Sequence, residues 1–461
     1  MRNTNKRWAL AAVLLSLSLV ALACGDDKTT SSSSGNTTTT VKDKKTLIGF
    51  QGTTPFGKLD TLKQRLMEIN PDLIDFNYGP ESYDAVVIAA LAAEAAQDDG
   101  IASAAQINPV TRNGEKCTDF KSCKALLDQK KDIDYETASG QDDFSGNGQP
   151  TKASYGLLGF TNTGCKATKE CIDFDNIKYE LAQVPTSEDV PQVDPVGTRK
   201  GDGVLTIGTL LPETGDLAFL GPPEFAGVEL AIKDINEAGG VLGKDVVYIK
   251  GDSGDNKNNK WQTTVPTLLQ QNVDVVIGAA SSGVTKNFLK DVTAAGVTII
   301  SPANTSPSLS FPACLPPGET AGTDKCPDDK GLYFRTAPSD ILQGEVLAKF
   351  IVKDGYKNVA IIARNDDYGT GLADQVEKQL TDSGGKVAEK KIYAIDATDF
   401  SAEVAAAKAA DPDAIIVIGF EESSKILAKM VEQGVGPADK PVYGTDGNIG
   451  NGLAQTFEAG K

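Results

Sequence analysis

The chain has 461 residues, with 45 Lys and Arg against 63 Asp and Glu, no histidine, and a formal net charge of −18. That balance excludes a basic footprint for nucleic acid or an anionic membrane surface, and the absent histidine excludes any Ser-His or Cys-His nucleophile pair. The length suffices for two domains of ordinary size, while the charge says little about a ligand.

Met1 to Arg7 is a cationic start, and Trp8 to Ala23 follow as 16 residues without a charge, ending at Cys24. A bilayer span needs roughly 20 apolar residues; a shorter run before small residues reads as an export signal. Ala21-Leu22-Ala23-Cys24 resembles the bacterial lipoprotein cleavage box, with Ala21 where Leu is usual, so Cys24 is the expected lipidation site. The alternative is an ordinary signal peptide with an incidental cysteine. Residues 25–45, rich in Ser and Thr, cannot bury apolar surface and read as a polar tether. No later segment has a long uncharged apolar run, so no transmembrane helix is expected.

Residues 46–190 hold one strong helix, Ser82 to Ala96, then Cys-bearing loops and short β-like runs at Tyr155 to Phe160 and Ile177 to Leu181. Alone they do not make a domain. Residues 190–202 read as a polar linker. From Gly203 onward, short β-branched runs alternate with amphipathic helices, the pattern of parallel sheets covered by helices. Strands are expected at Val204 to Leu210, Val246 to Ile249, Val273 to Ile277, Val297 to Ile300 and Leu332 to Arg335. A helix is expected from Pro222 to Ala238, and further helical stretches separate the later strands. A second series opens with Ser339 as N-cap and a helix to Lys353. It continues with a strand Val359 to Ala363, a helix Gly371 to Thr381, a strand Lys386 to Tyr393 and a helix Ser401 to Ala410. Strand Ala414 to Ile418, helix Ser423 to Gln433 and strand Val442 to Tyr443 complete it.

Six cysteines remain after Cys24, at 117, 123, 165, 171, 314 and 326. They fall into local pairs, and an even count in an exported chain reads as disulfides: Cys117 with Cys123, Cys165 with Cys171, Cys314 with Cys326. Without histidine, and with the pairs far apart in sequence, a metal site is not expected.

Several motifs carry a resemblance: Thr209-Leu-Leu-Pro-Glu-Thr-Gly215, Phe225-Ala-Gly227 with Asp234-Ile-Asn236, Ile277-Gly278-Ala-Ala-Ser281-Ser282, Ser301-Pro-Ala-Asn-Thr305, Tyr368-Gly-Thr-Gly371 and Gly444-Thr-Asp446-Gly447. Through them residues 203–461 resemble the first two-thirds of the leucine/isoleucine/valine-binding family of ABC-transporter receptors. Residues 46–190 resemble its last third, through Tyr78-Gly-Pro-Glu-Ser-Tyr-Asp84 and Ala153-Ser-Tyr-Gly156. The order is reversed. Either two incomplete receptors stand in tandem, or one receptor is circularly permuted; the pieces complement each other without overlap, which favours permutation.

The resemblance implies an α/β fold of two doubly wound parallel-sheet lobes joined by hinge strands, of the periplasmic-binding-protein type I. Lobe one would comprise 203–338 plus 53–152, and lobe two 339–461 plus 45–52 and 153–190, with hinges near Gly52 to Pro55, Pro150 and Thr336 to Pro338. It implies an extracytoplasmic monomer without cofactor that binds an amino acid or related small solute between closing lobes, with an ABC permease and ATPase as partners and a lipid as its only membrane contact.

Ligands of open α/β sheets sit outside the carboxyl ends of strands. Ser281 and Ser282 follow one such strand and can receive an anion at a helix N-terminus, or Ser281 can simply cap that helix. By resemblance Ser281, Ala303 and Thr305 match positions holding an amino acid's carboxylate and ammonium, Asp446 the acid that pairs with the ammonium, and Tyr368 a cleft tyrosine. Asp446 can also be read as a turn aspartate and Tyr368 as a partly buried aromatic. Leu220 stands where the family has an aromatic wedge, and Phe420, with Glu421 and Glu422, near another cleft tyrosine. No complete phosphate loop is present and Tyr368 to Gly371 holds only a bare GxG, so an enzyme is not expected. A ligand-sensing ectodomain without a transport role is the rival reading; a relic that binds nothing is a third.

Overall fold

The computed structural model describes residues 46–57, 60–161, 171–184, 194–310, 328 and 330–459. The export signal, Cys24, the tether, Cys165, Cys314 and Cys326 lie outside the described residues.

The N-terminal part forms β1 (Phe50–Pro55), α1 (Asp60–Ile69), α2 (Gly79–Ala96), α3 (Ile101–Ala104), β2 (Glu115–Cys117), α4 (Phe120–Asp128), β3 (Ile133–Tyr135), β4 (Lys152–Gly159) and β5 (Lys178–Gln183). Then come β6 (Thr206–Leu210), α5 (Gly221–Glu237), β7 (Val247–Ile249), α6 (Trp261–Gln270), β8 (Val275–Gly278), α7 (Ser282–Ala294), β9 (Thr298–Ser301) and β10 (Tyr333–Arg335). The last series is α8 (Asp340–Lys353), β11 (Asn358–Arg364), α9 (Asp367–Asp382), β12 (Lys386–Tyr393), α10 (Ser401–Ala409), β13 (Ala414–Ile418), α11 (Ser423–Glu432), β14 (Val442–Gly444) and α12 (Asn451–Ala459).

Two main sheets result. The first is five-stranded, β10-β9-β8-β6-β7, and its strand pairs are all parallel. The second is seven-stranded, β12-β11-β13-β14-β1-β4-β5. Five of its strands run parallel, while β4 pairs antiparallel with β1 and β5 antiparallel with β4, so this sheet is mixed. Strand β1 stays in register with β14 and β4 through Gly52, and with β4 through Pro55, so the chain leaves the second sheet three residues later than the 52/53 boundary read from sequence. It re-enters the second sheet at Lys152, goes over to the first between Gln183 and Thr206, and returns to the second between Arg335 and Asn358.

Helix α2 explains where the N-terminal segment goes. Apolar on all sides over 85–93, it is buried on every face from Gly79 to Glu94, the acids Glu81, Asp84 and Glu94 included. It shares one apolar cluster with Ile207, Phe225, Val228, Ala231 and Ile277 of the first sheet and α5. Gly227 makes the approach of α5 possible, since a Cβ there would lie 2.1 Å from the Gly79 carbonyl oxygen. The Cys117–Cys123 disulfide forms as expected, closing a small loop beside β2 and α4. Cys171 is disulfide-bonded too.

Gly278 ends β8 with φ +133°, and a Cβ there would lie 2.1 Å from the Leu210 carbonyl oxygen. Gly278→Ala is expected to lower stability by roughly 1–3 kcal/mol from the overlap alone, measured by urea unfolding, and to disturb the loop that carries Ser281.

Candidate functional site

The carboxyl ends of the parallel strands of both sheets bring their loops together. Loop 279–282 after β8 and loop 302–306 after β9 are stitched to each other. The Ser301 hydroxyl donates to the Ala279 carbonyl at 2.7 Å, and Asn304 Nδ2 donates to the Ala279 and Ala280 carbonyls at 2.9 and 2.8 Å. The Ser306 N–H donates to Ser282 Oγ at 3.3 Å. Buried Arg335 supports the second loop from below, donating to the Asn304 and Ser306 carbonyls at 3.3 and 2.8 Å. Ser281 is the N-cap of α7, its Oγ accepting from the Val284 N–H at 3.4 Å. The cap reading of Ser281 therefore holds. At 3.4 Å the contact lies beyond the usual N–H···O range, and it occupies only part of the hydroxyl's capacity.

On the second sheet, Asp446 follows β14 and Tyr368 lies in the first turn of α9. The Tyr368 hydroxyl donates to Asp446 Oδ1 at 2.9 Å, and the Tyr78 hydroxyl, arriving from the N-terminal segment, donates to Oδ2 at 2.7 Å. Burial raises the Asp446 carboxyl above its ordinary value against the pull of these hydrogen bonds. Phe420 stacks on Tyr368 with centroids 5.3 Å apart. Leu220, Ala303, Tyr368 and Phe420 fall in one apolar cluster, and all eight ligand candidates named from sequence are buried. Glu422, which sequence places beside the cleft, is committed through one oxygen: its Oε1 pairs with Arg364 at 2.6 Å and accepts from the Tyr393 hydroxyl at 2.7 Å, while Oε2 is buried without a partner.

Sequence reading missed Asp340, Tyr78, Tyr155 and Gln343. Asp340 opens α8 directly after its Ser339 cap and is fully buried, yet neither carboxylate oxygen has a hydrogen-bond partner. The Thr305 hydroxyl beside it, Gln343 Oε1 and the Tyr155 hydroxyl are also buried and unpartnered. Burial first, and then the charge of Asp446, pushes the Asp340 carboxyl well above the usual range, with Thr305 and Arg335 opposing. Both hydroxyls can donate as well as accept, but the Asp340 carboxylate and the Gln343 carbonyl can only accept, and with a second acid facing them they mark a place for a donor-rich cation. Only the position of Asp340 after a strand end could have signalled it. Tyr78 has φ +61° at the start of α2, an uncommon backbone for a tyrosine, and its ring meets Asp446 368 residues away.

Around this centre the loops of the two sheets are tied. Lys286 of α7 pairs with Asp367 of α9 at 2.7 Å, the Glu421 N–H meets the Asp216 carbonyl at 3.4 Å, and the Asn451 N–H donates to Asp75 at 2.8 Å. Among the described residues no three His, Cys, Asp or Glu side chains gather as a metal site, and no helix is long and apolar enough to cross a membrane.

The family described as "Periplasmic binding protein" matches residues 204–456. The chain belongs to the periplasmic binding protein family. Members of this family are solute-binding proteins and not enzymes. Among relatives of this periplasmic binding protein is Leu/Ile/Val-binding protein homolog 1 of Brucella suis biovar 1 (strain 1330), 30% identical over 264 residues, 56% of this chain and 64% of the relative. Leu/Ile/Val-binding protein homolog 3 of Brucella melitensis biotype 1 is 27% identical over 231 residues, 49% of this chain and 57% of the relative. A solved structure, the branched-chain amino acid transporter substrate binding protein LivJ from Streptococcus pneumoniae in complex with isoleucine, is 28% identical with a TM-score of 0.46, covering 56% of this chain and 68% of that one. The chain thus spans less than two thirds of the length of these Brucella relatives. The matched segment begins with β6 and ends within α12; residues 46–183 add β1, β4 and β5 to the second sheet and α1 to α4.

Proposed function

We propose that this protein captures an amino acid, or a related small solute bearing an ammonium group, between two lobes and delivers it to an ABC importer. The observation that carries the reading is the buried pair Asp340 and Asp446, with the Gln343 side-chain carbonyl as a further acceptor without a donor. An ammonium brings three donors and a positive charge to this place. A carboxylate of the same solute fits the first turn of α7, where Ser281, Ser282 and the free backbone N–H groups of a helix start favour an anion. Leu220 and Phe420 would then flank the solute's side chain.

The chain order is read as a circular permutation of one receptor. Insertion of β1 between β14 and β4, packing of α2 on α5, and the common apolar cluster of Leu47 and Phe457 support it. On this reading lobe one comprises 203–338 plus 53–152, lobe two 339–461 plus 45–52 and 153–190, and the passages near Pro55, Pro150 and Thr336 act as hinges for closure. Cys24 carries the lipid that holds the receptor at the extracytoplasmic face. A Cys24→Ala variant should appear in the soluble fraction; membrane retention of that variant would reject the anchor.

The test of capture is calorimetry and thermal shift with L-alanine, L-leucine, L-isoleucine and small amides, since a ligand at 100 times its Kd stabilises by about 2.7 kcal/mol. Asp446→Ala should weaken binding by roughly tenfold or more, as loss of a charged hydrogen-bond partner does. Ser281→Ala should weaken it less and cost about 1 kcal/mol of stability through the lost cap. Unchanged affinity in both variants would reject the site.

A further inference from the structure

We infer that Arg364 is a positioning residue of the solute site, holding Phe420 and Tyr368 as the wall against which a solute's side chain packs. This rests on the amino-acid reading above. β11 ends at Arg364, whose side chain is buried. Its Nε donates to Asp366 at 2.6 Å and its Nη1 to Glu422 at 2.6 Å. Each of those carboxylates holds one wall-bearing loop. Asp366 caps α9, accepting from the Gly369 N–H at 2.8 Å, and so sets the turn from which Tyr368 projects. Glu422 accepts from the Phe420 N–H at 3.2 Å and from the Tyr393 hydroxyl at 2.7 Å, which fixes the loop of Phe420.

The guanidinium also lies over the Phe420 ring, 4.0 Å from its centroid, and Phe420 stacks on Tyr368 with 17° between the planes. One planar cation therefore orders two loops and one ring at once. A lysine cannot reproduce this, because its ammonium has neither the fork that meets two carboxylates nor the flat face that covers a ring. The bonds of Arg364 itself reach neither Asp340 nor Asp446, and its one link to the charged head runs through Tyr368, whose hydroxyl donates to Asp446 at 2.9 Å. The consequence is an unequal effect: Arg364 weighs more on affinity for the side chain than on affinity for the head group.

The experiment measures L-alanine and L-isoleucine binding by calorimetry on the full chain, for the wild type, Arg364→Lys and Phe420→Leu. Alanine presents the same head group with little to set against the wall. Expected is a loss of about tenfold or more for isoleucine in both variants, with a loss for alanine that is smaller by about threefold or more. A merely structural role would weaken both probes alike. Equal loss for both probes, or no loss for either, overturns the assignment while wild-type binding keeps the capture reading. Absence of binding of both probes to the wild type overturns both. If Arg364→Lys does not fold, Glu422→Gln, which weakens one of the two carboxylate pairs of Arg364, is read in the same way, and equal loss for both probes or none for either overturns the assignment.

Discussion

Asp340→Asn is expected to make the solute-free protein more stable and the solute-binding protein about 100-fold weaker. Both effects come from one atom arrangement. The carboxylate is fully buried, neither oxygen has a partner, and Asp446 adds a second negative charge nearby. Without a solute, this group must either be held protonated or endure an uncompensated charge, and an amide of the same shape removes that cost. With an ammonium bound, the carboxylate becomes the acceptor of a charge-assisted hydrogen bond, and its replacement by a neutral amide forfeits about 2–3 kcal/mol. The thermal midpoint without solute and the calorimetric Kd with L-isoleucine check the two halves. An Asn variant that melts lower and binds as tightly as wild type would show that Asp340 serves packing and not capture.

Stability is expected to fall as pH rises from about 5 to 8. The carboxyl of Glu81, at the start of α2, is pushed up to about 8 by burial and then by the charge of Asp84. Asp84 itself, held by Tyr135, Ala138 and Ser139, is raised to about 6, burial again outweighing its donors. Glu224 on α5, buried with both oxygens unpartnered, is also raised well above its ordinary value, by burial first and then by the charge of Glu81. For each of these acids the folded chain keeps its proton to a higher pH than the unfolded chain does. The folded state therefore binds more protons between the ordinary carboxylate range and the raised value, and stability declines with pH through that window. Glu81 alone contributes a slope of up to about 1.4 kcal/mol per pH unit between roughly 5 and 8. Urea unfolding of the wild type and of Glu81→Gln across this range reads it: the variant should show a flatter profile between pH 6 and 8. A wild-type profile that rises with pH would contradict the burial of these acids as protonated groups.

Much of the second half was legible because its information is local. Strands β12 and β13 fall on the residues expected, and the apolar periodicity of α5, α8 and α11 marks helices to within a residue or two. The start of α9 is four residues earlier than the expected Gly371, because Asp366 caps it and the Tyr-Gly-Thr-Gly run is helical despite two glycines. Helices α1 and α4 escaped notice. They are short and lie in a segment whose cysteines and turn residues draw attention to loops, and α4 becomes a helix through its Asp119 cap.

The site divides in the same way. The sequence by itself determined that loops bearing Ser281, Thr305, Tyr368 and Asp446 follow strand ends, and that no histidine chemistry operates. Only the tertiary structure decided which of these groups are already satisfied. Ser281 is partly occupied as a cap, Asp446 is held by two tyrosine hydroxyls, and Glu422 is held through one oxygen by Arg364. Asp340 is left without a donor, although in sequence it looks like any acid in a helix's first turn. The reason is physical: a polar group's need is set by everything that surrounds it, and Tyr78 reaches Asp446 from 368 residues away.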